Sequence, residues 1–285
     1  MLNRREFTGM FAAAAVVRRR RSDRPASPPV PAPAPAKEPN LARMLRTKKL
    51  RLAVFPNDQP YSFKRSPGGE WSGFCIAMTR SLASELGIEV VVVETSWAEA
   101  ATDLNAGKLD LAYAPSPSAQ SAMFADFADP LFHDTYAIVA RKGFAAKSWA
   151  ELNAPETLVA IETGSPREEA VRRFAGNAAI TGFKNRDEAE QAVQSGRVDC
   201  LIAPVFHAIA ALKMNPQLGE LVVPTPQLRV AVCPALPYDD DRRLRGVVDA
   251  WGEDKRATGQ IRGWITASLA ELGIAPGDLP TDISF

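Results

Sequence analysis

The sequence predicts a two-lobed α/β protein, each lobe a mixed sheet flanked by helices, with two strands crossing between the lobes at a hinge. Three observations predict it. From Leu50 onward, apolar runs suited to strands alternate with stretches of helical periodicity. A nine-residue pattern occurs twice, "GKLDLAYAP" at 107–115 and "GRVDCLIAP" at 196–204, each time after a capped helix. Two long extended runs, residues 135–143 and 221–233, are suited to leaving one lobe and returning to it.

The N-terminal part stands apart from this pattern. Arg4, Arg5 and Phe7 precede a short apolar stretch at 10–17, an arrangement that resembles a twin-arginine export signal. Residues 1–24 are read as that signal-like segment. Residues 25–48, with "RPASPPVPAPAPAKEP", are read as an extended proline-rich linker that tethers the protein if the signal is not cleaved. The formal net charge of +1 hides the division. Residues 1–48 carry 11 Lys/Arg against 3 Asp/Glu, a net of +8, and the remaining 23 basic and 30 acidic residues give −7. A mildly acidic body excludes nucleic acid as the expected partner. At 285 residues, 46% hydrophobic and 24% charged, the chain has room for two lobes, and no run approaches the ~20 apolar residues of a membrane span.

Within the body, residues 50–55 form a continuous apolar strand. Ile76, Met78, Leu82 and Leu86 mark a helix that stops at Gly87, and "IEVVVVET" is a second, β-branched strand. Ser96 with Glu99 forms a capping box for a helix ending at Gly107, before the strand "KLDLAYA". Asn185 with Glu188 repeats the arrangement for a helix ending at Gly196. Lobe 1 is then residues 49–138 plus 228–285, and lobe 2 residues 139–227. The last two helices, near 242–251 and 260–272, pack on lobe 1. Ligands of open α/β sheets sit beyond the carboxyl ends of strands, so both Ala-Pro exits face one cleft.

Cys75, Cys200 and Cys233 have no zinc-type spacing and read as buried thiols, with a Cys75–Cys233 disulfide left open. Two histidines are too few for an ordinary metal cluster, so neither metal nor cofactor is expected.

"LRLAVFPNDQPYSF", "GEWSGFCIAMTRSLASELGIEV", "LNAGKLDLAYAPSPS", "FADFADPLFHDTYAIVARKG", "LVAIETGS" and "AVQSGRVDCLIA" are similar to segments of the bacterial extracellular solute-binding proteins, in the amino-acid-binding branch of the type II periplasmic family. The likeness runs over about 49–265. It implies a monomeric periplasmic protein that closes two lobes on a small solute and delivers it to a membrane ABC permease, without catalysis. The departures from the family lie where it reads an amino acid. Ser121 stands at the arginine that would hold the α-carboxylate, Pro204 at the aspartate that would hold the α-ammonium, and Ala77 at a further aspartate. Two lost charge-assisted hydrogen bonds amount to ~3–6 kcal/mol, on the order of 10²–10⁴ in affinity. Without replacements, a standard free amino acid is therefore not the expected ligand.

The remaining cleft candidates are Asn57, Asp58, Tyr61, Trp71, Tyr113, Ser116, Ser118 and Ser121 from lobe 1. Lobe 2 offers Ser165, Arg167 and Phe206, with His207 beside them. Ser165 is placed to cap a helix with Pro166 at its first position and Glu168 closing the box, making an anion site that Arg167 reinforces. This set suits a neutral or weakly anionic organic solute. Two rival readings stand beside transport. One is an accessory or sensor protein in the periplasm, for example beside a quinoprotein dehydrogenase. The other is a prephenate-type dehydratase, for which Asp58 with Arg167 is the one available pair.

Overall fold

The computed structural model describes residues 38–113 and 117–280, so the signal-like segment and most of the proline-rich run lie outside the described residues. The fold begins earlier than the linker reading has it. α1 (Asn40–Thr47) starts directly after Pro39, and its Met44 is 1% exposed. Leu41 and Met44 give one apolar face, the Asn40 N–H donates to Asp239 Oδ2 at 2.6 Å, and Arg43 pairs with Asp110. Residues 40–47 are thus part of the core rather than tether; proline density ends at Pro39, and one turn of apolar spacing is enough to dock the rest.

In the first lobe β1 (Lys49–Val54) runs parallel to β4 (Glu89–Glu94), in register from Lys49↔Glu89 to Val54↔Glu94. Between them lie the hairpin of β2 (Phe63–Lys64) with β3 (Trp71–Ser72) and the helix α2 (Phe74–Leu86). Gly73, which precedes that helix, has φ +113°, and a Cβ there would meet Tyr61 O at 2.3 Å. Glycine at 73 therefore fixes how closely α2 approaches the Tyr61 backbone. α3 (Trp97–Asn105) follows, and Gly107 closes it at φ +67°. The expected strand "KLDLAYA" is reduced to two bridges, Leu111 to Leu52 and Ala112 to Ala235. Asp110 is the cause: its carboxylate accepts the Arg51 N–H and guanidinium, taking a place the ladder would fill.

A short β5 (Ala125–Phe127) leads into β6 (Phe132–Ala140), which does the crossing. The second lobe holds α4 (Trp149–Leu152), β7 (Leu158–Glu162), α5 (Pro166–Phe174), β8 (Ala179–Phe183), α6 (Arg186–Gln194), β9 (Cys200–Pro204), α7 (Val205–Met214) and β10 (Glu220–Val222). The chain returns through β11 (Arg229–Val232) and β12 (Ala235–Pro237) to α8 (Arg243–Ala257) and α9 (Gln260–Glu271). The second-lobe sheet has the order β10-β6-β9-β7-β8, with β7 parallel to both β8 and β9. Residues 132–135 of β6 pair with returning β11, whereas residues 136–140 pair with β9 and β10. One strand therefore belongs to both halves.

Leu52, Phe74, Met78, Val248, Trp251 and Ile265 are core residues of the first half. Val159, Ile161, Val171 and Ile202 fill the second. All three cysteines are buried free thiols, so the Cys75–Cys233 pairing is not made. Among the described residues no helix is long and apolar enough to cross a membrane.

Met44→Ala is expected to lower the unfolding free energy by about 2–5 kcal/mol, measured by urea denaturation. A chain starting at residue 49 is expected to be less stable than one starting at residue 38; equal stabilities would return α1 to the linker.

Candidate functional site

The carboxyl end of β1 turns out of the sheet at Pro56, and the next three residues each reach the second lobe. Asn57, at φ +56°, donates to Asp187 Oδ2 at 2.5 Å. Asp58 forms a buried ion pair with Arg186. The Gln59 carbonyl lies 2.8 Å from His207 Nδ1, and the other ring nitrogen lies 2.7 Å from Glu190 Oε1. Gly164, at φ +76°, lets its loop approach α3, since a Cβ there would lie 3.2 Å from Ala98 Cα.

Behind these ties is a charged cluster removed from water. Arg186 is 3% exposed and bridges Asp58 in one lobe to Glu162 in the other, the latter at 3.0 Å. Arg167, 2% exposed, also holds Glu162, at 2.5 Å, and lies over the Trp97 ring at 4.5 Å. Trp97 in turn stacks on Phe55 with centroids 4.3 Å apart and planes 7° from parallel. Burial pushes the Glu162 carboxyl up, but the charges of Arg186 and Arg167 together outweigh it and hold it down at about 2. Burial likewise opposes the Arg186 charge, and Glu162 with Asp58 more than reverses that.

Two spaces open onto this cluster. The inner one, about 60 Å³, is lined from both lobes by Asp58, Tyr61, Tyr113, Asp134, Arg167 and Pro204 among others. The outer one, about 360 Å³, lies between Asn57, Glu94 and Ser96 on one side and Lys184–Asp187 on the other. Phe55 and Trp97 line both, so their stacked rings form the partition. Asp134 comes from the first-lobe end of β6. It accepts the Tyr61 hydroxyl and the Thr135 N–H, yet burial still pushes its carboxyl up to about 6. Burial also raises the Tyr61 and Tyr113 hydroxyls and the Cys75 thiol, all of which line the inner space.

Of the candidates named from sequence, Asp58, Tyr61, Tyr113 and Arg167 meet in the inner space, and Asn57 lines the outer one. Ser165 is buried behind Pro166, but its hydroxyl makes no cap bond; Glu168 accepts the Gly164 N–H at 3.3 Å instead. Trp71 is elsewhere, under the Lys64 ammonium in a separate surface groove. Ser118 and Ser121 hydrogen-bond each other's backbone N–H groups, at 2.8 and 3.0 Å, and so close a 3-10 turn rather than line the cavity. Phe206 is fully buried against Phe74 and Phe132 in the core, not on the cleft wall. Ser116 lies outside the described residues. The pair Asp58–Arg167 is not made, because Asp58 is taken by Arg186.

Sequence reasoning missed Arg186, Glu162, Asp134, Phe55 and Trp97. A signal was present for Arg186 and Trp97: each opens a helix directly after its cap, Asn185 or Ser96, at a strand-to-helix turn on the cleft side. Among the described residues no group of three or more His, Cys, Asp or Glu is arranged to hold a metal.

Residues 50–173 match the bacterial extracellular solute-binding proteins, family 3. The chain is 24% identical over 239 residues to the cyclohexadienyl dehydratase of Pseudomonas aeruginosa, covering 80% of this chain and 85% of that one. It is 25% identical over 183 residues to the arginine-binding extracellular protein ArtP of Bacillus subtilis, covering 62% and 69% respectively. Among solved structures, an ancestral amino-acid-binding protein described as a precursor of cyclohexadienyl dehydratase superposes with a TM-score of 0.70 at 27% identity, over 81% of this chain and 98% of that one. The amino acid ABC transporter substrate-binding protein AbpA of Streptococcus pneumoniae, bound to L-arginine, gives a TM-score of 0.73 at 20% identity over 81% and 98%, a likeness of fold.

Arg186→Met leaves Asp58 and Glu162 buried without their shared cation and is expected to cost about 3–5 kcal/mol at pH 7. Urea denaturation at pH 7 measures the loss. Asp134 and Glu162 act on stability in opposite directions. With its carboxyl raised from 3.8 to about 6, Asp134 favours the fold below pH 3.8 and loses that contribution as pH rises through 6. With its carboxyl lowered from 4.5 to about 2, Glu162 favours the fold above pH 4.5 and loses that contribution as pH falls through 2. Each is on the order of 3 kcal/mol. Asp134→Asn should therefore flatten the decline in stability between pH 4.5 and 7.5 expected of the unsubstituted protein.

Proposed function

We propose that the chain, which resembles the bacterial type II solute-binding proteins of the amino-acid-binding branch, captures a small organic solute between its lobes in the periplasm and delivers it to an ABC permease. The observation that carries this reading is the inner cavity itself. Its walls come from both lobes, and the three consecutive residues Asn57, Asp58 and Gln59 join the lobes at its edge. A site assembled only when two lobes meet suits capture by closure. Export by the twin-arginine route and residence in the periplasm as a monomer belong to the same proposal. The family's own charge positions are not filled, Ser121 closing a turn and Pro204 presenting no charge to the cavity it lines.

The dehydratase relative supports a second, catalytic reading, because Asp134 with Tyr61 places a carboxyl raised to about 6 on the cavity wall. Against it, about 60 Å³ has room for about four to six water-sized groups, too little for a cyclohexadienyl ring with its substituents. Incubation with prephenate or arogenate, followed for loss of the cyclohexadienyl group, is expected to give no product; turnover would replace the binding reading. A service role beside a periplasmic partner protein in place of a permease is tested by capture from periplasmic extract.

A thermal-shift panel of amino acids, hydroxy acids, keto acids and small aromatic acids is expected to include a compound that raises Tm. At a hundredfold excess over Kd, binding to the folded form adds about 2.7 kcal/mol, several degrees for a chain of this size. Small-angle scattering should show the radius of gyration fall on binding. Gly164→Val, which crowds Ala98 across the closing lobes, should weaken the ligand at least tenfold. Stabilisation by basic amino acids alone would overturn the expectation of a neutral or weakly anionic solute while leaving solute capture intact.

A further inference from the structure

Of the three ties at the cavity edge, the one at Gln59 depends on a proton. His207 Nδ1 lies 2.8 Å from the Gln59 carbonyl oxygen, and Nε2 lies 2.7 Å from Glu190 Oε1. A carbonyl oxygen and a carboxylate only accept, so both ring nitrogens must donate, and a neutral imidazole has one N–H to give. We propose that His207 latches the lobes as the doubly protonated imidazolium, so that closure takes up a proton and acid favours the closed form. The proposal rests on the reading of capture by closure and adds a control to it. Neither His207 nor Glu190 lines the inner or the outer space, so the device acts on closure rather than on ligand contact.

The partners divide between the lobes as a latch requires. Glu190 on α6 and His207 on α7 both belong to the second lobe and stay together when the lobes part. Gln59 belongs to the first, on the loop that also carries Asn57 and Asp58. In the closed form His207 is 2% exposed, so bulk water cannot stand in for a missing ring proton. A neutral ring would then set lone pair against lone pair, at Gln59 or at Glu190. With Gln59 withdrawn, a neutral ring can donate from Nε2 to Glu190 and turn Nδ1 to water, and the second proton is no longer required. The place along the helix sharpens the switch. His207 is the third residue of α7, in the first turn, where the helix dipole disfavours a cation. The proton is held there by its two acceptors, and removing one weakens the hold.

The charged and titratable groups around His207 are Glu190 from α6, Glu162 at the end of β7, Asp134 on β6, and Asp58 with its partner Arg186 across the lobe junction. At Glu162, burial is outweighed by Arg186 and Arg167, with a smaller share from a positive His207. Asp58 is taken by Arg186. Asp134 accepts the Val205 N–H two residues before His207, and burial pushes its carboxyl up to about 6, so it titrates next to the range of interest. The latch is therefore read above pH 6.5 and again in Asp134→Asn.

The chain has two histidines, so nitrogen-15 labelling of histidine gives two ring systems by NMR, and His207→Gln identifies which is His207. Ring signals and small-angle scattering are followed on the full chain, without added solute, from pH 6.5 to 8.5. The expected result is two ring protons at the acid end and one at the other, with the radius of gyration rising over the same interval. The ratio of closed to open lobes should fall by up to about tenfold per pH unit. Asp134→Asn should keep this transition; its loss there would assign the effect to Asp134 and overturn the proposal. Glu190→Gln separates a proton latch from a packing contact, because an amide at that position can donate to Nε2 and let a neutral ring donate from Nδ1 to Gln59. The radius of gyration of that variant should stay small up to pH 8.5, and opening at every pH would overturn the proposal. A ring whose proton count does not change, or one that titrates without a change in radius, would overturn it as well. If the radius then still falls when a compound of the panel binds at pH 8.5, solute capture by closure stands without the latch; if it answers to neither, closure itself is removed.

Discussion

Arg186 is the interaction on which the rest of this structure depends. It sits at the start of α6, is 3% exposed, and spans from Asp58 in one lobe to Glu162 in the other. A buried charge without partners is strongly unfavourable, and two acids shared by one cation form a unit that holds only when the lobes are together. Everything near the cavity follows from that unit. Glu162, fixed by Arg186, fixes Arg167, and Arg167 lies over the ring of Trp97, which stacks on Phe55. The wall between the inner and outer spaces is thus built by electrostatics on one side and ring stacking on the other.

The same arrangement separates structural charge from charge available to a ligand. Asp58 and Glu162 are internally neutralised. Asp134 is buried with hydrogen-bond donors but no ion-pair partner among the described residues, and burial makes it retain a proton to higher pH than an ordinary aspartate. Its position on β6 matters as much as its chemistry. Residues 132–135 pair with β11 and residues 136–140 with β9 and β10, so Asp134 lies just short of the point where the strand changes partner.

How much of this was legible in the sequence follows from the physics of each signal. The alternation of β-branched runs with capped, periodic stretches gave the two lobes, and the crossing segments were visible as extended runs. Gly107 and Gly196 stand at φ +67° and +73° where the repeated pattern required a left-handed residue. Helix α1 was hidden because Leu41 and Met44 are too few to stand out beside the prolines before them. In the cleft, Asp58, Tyr61 and Arg167 could be named because they follow strand ends or open a helix. Arg186 also opens a helix, but its role, like that of Asp134, lies in partners distant along the chain, Asp58 at 128 residues and Tyr61 at 73, which that local signal does not carry. Phe206, Ser118 and Ser121 were placed correctly along the chain but turned elsewhere, and side-chain direction in a loop or a helix's first turn is set by packing that no local pattern carries.

Asn57, Asp58 and Gln59 carry three ties to the second lobe on adjacent positions of one loop. Attachments in a row of that kind yield one after another when one end is lifted, as a seam peels, rather than all at once as they would in shear. The peeling threshold is set by the single strongest stitch, the buried one at Asp58, and the exposed stitch at Asn57 is the natural place to begin. Leverage on that outer edge would therefore unfasten the cavity with far less force than pulling the lobes straight apart.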